Sequence, residues 1–168
     1  MTNDEVHSAV VRWICARTNG VRTIKSHEGG KTYPAYNMVN FTGAEELRRW
    51  HRKIEFTETD ELNSAGEKII EAAPVIDMEW RFSVHAYGEN PTDRLRPILS
   101  AIKLPQVMEP LLPGLLVHSA SQIRNVPDWI NEKWQPRAQM DLFVRGVTRD
   151  AHVLDVIDEY SFDIRPAG

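Results

Sequence analysis

The chain has 168 residues, enough for one domain with a continuous hydrophobic core. Hydrophobic residues at 42% and charged residues at 26% exclude a disordered polar chain. A net charge of -4 excludes a broad basic face for nucleic-acid phosphates, and a single cysteine, Cys15, excludes an intrachain disulfide or a thiolate metal cage. Met1-Thr2-Asn3-Asp4-Glu5 is acidic where a secretory leader is basic, and no apolar run approaches membrane-spanning length, so neither export nor membrane insertion is expected.

In chain order, Thr2 and Glu5 have capping-box spacing, and Val6, Val10, Trp13 and Ile14 recur at helical intervals. This predicts a helix that ends near Asn19-Gly20, with the glycine closing it. Tyr33 to Phe41 is short, aromatic and partly alternating, a strand entered through Pro34. Residues 42–52 allow either a capped helix (Thr42, Glu45, Leu47, Trp50) or an exposed loop. Lys53 to Thr59 reads as a strand, and Ser64-Ala65-Gly66 as a loop tip.

From Ile76 to Tyr87 the chain alternates strictly. Ile76, Met78, Trp80, Phe82, Val84 and Ala86 point one way; Asp77, Glu79, Arg81, Ser83, His85 and Tyr87 point the other. One buried and one wet face is the pattern of an antiparallel sheet. Gly88 ends this strand; Asn90 is the expected N-cap and Pro91 the first residue of a helix carrying Leu95, Ile98, Leu99 and Ile102 on one face. Pro97 is expected within its first turns, where a missing amide costs little.

Pro105 to Gly114 reads as a connector and Leu115 to Ile123 as a strand. Ala138, Met140, Leu142 and Val144 alternate with Gln139, Asp141, Phe143 and Arg145 in a second firm strand, and Val156 to Ile164 suits a third. The expected class is α+β: a mainly antiparallel sheet with two or more helices packed on one face, in a single domain over residues 1–168 with 42–74 as an insertion or loop region.

Chemistry is sparse. His7, His27, His51, His85, His118 and His152 show no ligand spacing, so no metal site is expected and locally bonded or solvated histidines are the better reading. Cys15 sits beside Trp13 and Ile14 on a core-facing helix, the setting of an inert thiol. Ser119 and Ser121 lie near His118 without a nucleophile elbow. Gly29-Gly30-Lys31 lacks the spacing of a phosphate loop, so no cofactor is expected. Glu79 and Asp141, on the polar faces of two strands, would be neighbours if those strands pair; solvated or interface charges are favoured over a catalytic pair. Of five tryptophans, Trp129 and Trp134 fall in an irregular stretch, where large aromatics either pin a loop or anchor a partner. Trp129, Trp134, Arg137, Glu79, Arg81, Asp141 and Arg145 are therefore the candidate interface residues.

The C-terminal half resembles phage neck or tail terminator proteins, including those of contractile-tailed phages. The likeness lies in Val84-His85-Ala86-Tyr87-Gly88 running into Asn90-Pro91 and the Leu95, Ile98-Leu99 helix, and in Arg124-Asn125-Val126-Pro127 with Ile130-Asn131-Glu132. Trp134 through Arg137-Ala138-Gln139-Met140-Asp141-Leu142 and the closing Val156 to Ile164 segment extend it over residues 75–165; residues 42–74 fit least.

The resemblance implies a non-enzymatic virion protein, assembled in the host cytoplasm, that forms a ring of six copies. The ring ends tail-tube polymerisation and meets the tube and sheath proteins on one side and a head-side connector on the other. DNA is only passing cargo, and no membrane is involved. Six copies at -4 each carry -24, which favours a lumen that does not hold DNA. Other readings are a different neck or tail ring component (tail-completion, head-closure or tube protein) and a small hydrolase using Glu79 and Asp141.

Overall fold

The computed structural model describes residues 1–26, 34–104 and 114–154. Gly29-Gly30-Lys31, His27, the strand expected over Val156 to Ile164 and all of the Pro105 to Gly114 connector but its last residue lie outside them. The described chain runs α1 (Asn3–Arg17), β1 (Thr23–Lys25), β2 (Tyr36–Glu46), β3 (Lys53–Leu62), β4 (Lys68–Tyr87) and α2 (Pro91–Ala101). It continues through β5 (Leu116–Ala120), β6 (Arg124–Asn125), β7 (Asp128–Ile130), β8 (Lys133–Gln135), β9 (Arg137–Arg149) and β10 (His152–Leu154). Strand predominates, with two helices among the described residues, in keeping with the α+β expectation. The chain divides into two compact units, one of residues 1–49 and 76–148, the other of residues 50–75 and 149–168.

The capping box at the start of α1 is complete: the Thr2 hydroxyl accepts from the Glu5 amide at 3.2 Å, and the Thr2 amide donates to Glu5 Oε2 at 2.6 Å. At the other end Asn19, not glycine, takes the first left-handed position (φ 57°), and the Gly20 amide returns to the Cys15 carbonyl at 2.8 Å. Val6, Val10, Trp13 and Ile14 are fully buried, as their spacing predicts.

In the first unit the strand order is β1-β2-β4-β9-β5, with β6 also on β9. β1 pairs parallel to β2, and β2 antiparallel to β4. The two firmly expected strands, β4 and β9, are neighbours. Trp80, Phe82, Val84 and Ala86 from one and Ala138, Met140, Leu142 and Val144 from the other are buried, and they form one core cluster with α1 residues and with Leu95, Ile98 and Ala101 of α2.

Three features of β2 and α2 depart from expectation. β2 does not stop at Phe41: a bulge between Phe41 and Gly43 lets it continue to Glu46, so residues 42–46 are strand rather than helix or loop. Without an extra residue, Glu45 would follow Val39 and Phe41 toward the core; the bulge turns it to the face of Glu79 and Arg81. Asn90 is left-handed (φ 51°) and its side chain makes no cap bond, because capping geometry requires an extended residue there. Pro97 lies past the first turn of α2 and offers no amide to the Asp93 carbonyl.

In the second unit β3 pairs antiparallel with the first part of β4, from Lys53↔Val75 to Leu62↔Lys68, and β10 pairs with β4 on its other side, from His152↔Ala72 to Leu154↔Ile70. The loop tip falls where expected, with Asn63 Oδ1 accepting from the Ala65 and Glu67 amides.

Leu142→Ala is expected to lower the unfolding free energy by about 2–5 kcal/mol in urea titrations, and Val153→Ala, at a 64% exposed position, by no more than about 0.5 kcal/mol. Equal losses would contradict a core built on the even-numbered face of β9. A Cβ on Gly88, which has φ +105°, would stand 2.6 Å from the Pro34 carbonyl oxygen, so Gly88→Ala should cost at least about 1–3 kcal/mol by the same measurement.

Candidate functional site

The odd-numbered residues of β4 and β9 make the other face of the sheet in the first unit. Contacts across it run in opposite order along the two strands: Glu79 with Arg145, Arg81 with Phe143, Ser83 with Gln139 and His85 with Arg137. β4 and β9 are therefore antiparallel. This register decides what each candidate residue touches.

Glu79 is buried, 6% exposed, and its two oxygens take Arg145 Nε at 2.9 Å and Arg81 Nε at 3.5 Å. Arg81 also bonds Glu45, placed there by the bulge, and its guanidinium lies 5.6 Å from the centre of the Phe143 ring. Asp141 accepts from Gln139 Nε2 at 2.8 Å and faces Arg124 at 3.8 Å. The Glu79–Asp141 pair is thus not formed: the register sets each acid beside its own arginine.

Ser121 Oγ accepts from the Asp141 amide at 2.8 Å, and the Ser121 amide donates to the Asp141 carbonyl at 2.8 Å, so this serine braces β9. Cys15 is half-buried in α1. Among the described residues no group of three or more His, Cys, Asp or Glu side chains gathers in a way that holds a metal ion, and no helix is long and apolar enough to cross a membrane.

A second set of contacts, which sequence reasoning did not assemble, runs toward the start of β9. Gln139 Nε2 reaches Ser83 Oγ at 2.9 Å; Ser83 Oγ meets His85 Nε2 at 3.0 Å; and Arg137 Nε donates to His85 Nδ1 at 3.3 Å. With Nδ1 accepting, the proton sits on Nε2 and the imidazole is neutral. Burial, and then the positive charge of Arg137, hold the His85 pKa below the ordinary 6.5, while Asp128 and Asp141 oppose the shift. Arg137 in turn gives one nitrogen to both Asp128 oxygens, at 2.7 and 2.9 Å, and stacks over Tyr87, itself stacked on Tyr36 at 4.7 Å. The alternation of Ser83 and His85 against Gln139 was visible in sequence; the register that joins them was not.

Asp128 begins a hairpin. β7 and β8 pair through Asp128↔Gln135, Trp129↔Trp134 and Ile130↔Lys133, and Asn131 and Glu132 turn it with φ of 50° and 62°. Two consecutive positive φ values are the twist-matched two-residue turn, and asparagine suits its first position. The two indoles meet edge to face at 5.1 Å, yet Trp129 is 58% and Trp134 65% exposed. They form a paired aromatic knob and do not pin a loop into the core. Its base is tied by the Arg137–Asp128 ion pair, by the Val126 amide to the Arg137 carbonyl and by the Gly88 amide to the Pro136 carbonyl.

The depressed histidine has a consequence with a definite sign. The unfolded chain takes up a proton near 6.5 before the folded chain does, so His85 costs no stability above that value and stability falls as pH drops below it. The urea midpoint of the wild type should therefore decline between about pH 7 and pH 5 more steeply than that of His85→Gln. Parallel curves would show that His85 is not held neutral.

A model of the phage neck terminator protein family matches residues 4–166. No curated protein matches the sequence. Among solved structures, the sheath/tube terminator of the extracellular contractile injection system PVC, in its extended state, aligns with a TM-score of 0.53 at 11% identity. The alignment covers 100% of this chain and 65% of that one, so the chain spans just under two thirds of its neighbour's length. At that identity the likeness concerns the fold alone, whereas the family match extends over nearly the whole sequence: the chain is a member of the phage neck terminator protein family.

Proposed function

We propose that the protein is a structural, non-catalytic virion component that closes into a ring at the neck, ends tail-tube polymerisation and joins the tail to a head-side connector. The family match over residues 4–166 carries this reading. The fold shared with a sheath/tube terminator supports the expectation that tube and sheath proteins are its neighbours.

In this reading α1 and α2 cover one face of the β4–β9 sheet, and the odd-numbered face with the tryptophan hairpin serves assembly. The arginine-bound state of Glu79 and Asp141 supports a structural role over hydrolysis. Assembly takes place in the host cytoplasm, six copies make the ring, and DNA passes through it.

Deleting the gene from its phage should yield tails of uncontrolled length, or tails without heads, in negative-stain micrographs. Normal infectious particles would reject the proposal. Quantitative mass spectrometry of intact virions should find a single ring's worth of copies; a number that scales with tail length would make the protein a tube subunit.

A further inference from the structure

At the far end of β9 from the hairpin lies a cavity of about 590 Å³. Leu47, Met78, Leu116 and Val147 line it together with Arg145 and the Arg48–Asp77 ion pair. Gly146 contributes bare backbone, for a Cβ there would come within 2.7 Å of Leu115 and 3.2 Å of Trp80. The volume, and a lining that mixes apolar side chains with charged ones, suit one or two large side chains with a polar edge, as tryptophan has.

We propose that the Trp129–Trp134 hairpin of one copy inserts into this cavity on the next copy, so that each subunit is joined head to tail. The inference rests on the ring reading above and names the contact that makes the ring.

Several observations favour a second copy of this chain as the occupant. Knob and hole belong to the same compact unit and are linked by β9, which at about 3.4 Å per residue separates Arg137, at the base of the hairpin, from Gly146 by roughly 30 Å. A projection and a matching recess on opposite ends of a rigid element create a heterologous contact, and such contacts generate rings when the rotation closes.

Charge fits as well: the hairpin carries Glu132 and Lys133, and the lining of the hole carries Arg48, Asp77 and Arg145, so each sign on the knob has an opposite sign to meet. A desolvated aromatic anchor inside a polar rim is where binding energy concentrates. The exposed indoles form a preformed anchor: their edge-to-face pairing, the two-residue turn and the Asp128–Arg137 tie fix the hairpin before any partner arrives, which lowers the entropic cost of docking.

The test uses two variants of the full chain. Trp129→Ala with Trp134→Ala removes the knob and leaves the hole; Leu116→Trp, at a position 48% exposed, fills the hole and leaves the knob. Masses come from light scattering at concentrations where the wild type associates, with thermal melts checking that each variant folds; Leu116→Arg serves as the second blocked form if Leu116→Trp does not.

Each variant alone should be monomeric, with association weakened at least about tenfold. The mixture should give a dimer and nothing larger, since only one competent knob and one competent hole remain. Association by either variant alone, or a mixture that stays monomeric while the wild type associates, would overturn the knob-in-hole contact and leave the ring reading standing. A wild type that stays monomeric at every concentration, and also beside its tail tube, would remove the ring reading and this contact together.

Discussion

β4 and β9 lie side by side, and each repeats with a period of two. Once they pair antiparallel, every even-numbered side chain from Trp80 to Ala86 and from Ala138 to Val144 falls on one surface, and that surface is wholly buried. Both helices contribute to the same cluster, α1 through a stripe around Trp13 and α2 through Leu95 and Ile98. A slip of one residue in this pairing would turn one strand over, bringing Glu79 of β4 or Arg145 of β9 against the core and exposing that strand's apolar row. The cost of burying those charges makes the register close to obligatory.

The same pairing organises the opposite face. Because apolar residues occupy the even positions, the odd positions were free to carry polar groups, and the register lines them up as Glu79 with Arg145, Ser83 with Gln139 and His85 with Arg137. The result is a knit surface of part-buried polar groups. Glu79 and Asp141 each face an arginine and burial disfavours the charged form of His85, so the polar face is cross-braced between the strands. What projects from this surface is aromatic: the hairpin between β7 and β8, with two indoles that touch each other and solvent.

Membership in the neck terminator family and an 11% identical structural neighbour are compatible because this architecture asks little of residue identity. Strand alternation, the apolar faces of the two helices and a few turn residues are properties that survive wide substitution. The tryptophan pair and the Asp128–Arg137 tie lie outside this apolar pattern.

The sequence by itself determined the elements whose signal is local. The capping box and apolar stripe of α1, the alternation of Ile76 to Tyr87 and of Ala138 to Val144, and proline at the start of α2 depend only on neighbours a few residues apart. Tertiary structure alone decided the rest. The bulge after Phe41 leaves no mark in a two-residue period, yet it carries β2 to Glu46 and delivers Glu45 to Arg81. Asn90 looks like a cap but is left-handed in the turn after Gly88. Whether Glu79 meets Asp141 or Arg145, and whether Trp129 and Trp134 turn inward or pair at the surface, depends on register between segments some sixty residues apart or on a two-residue turn. Pairing energy between distant strands is a property of the folded arrangement, and no local propensity encodes it.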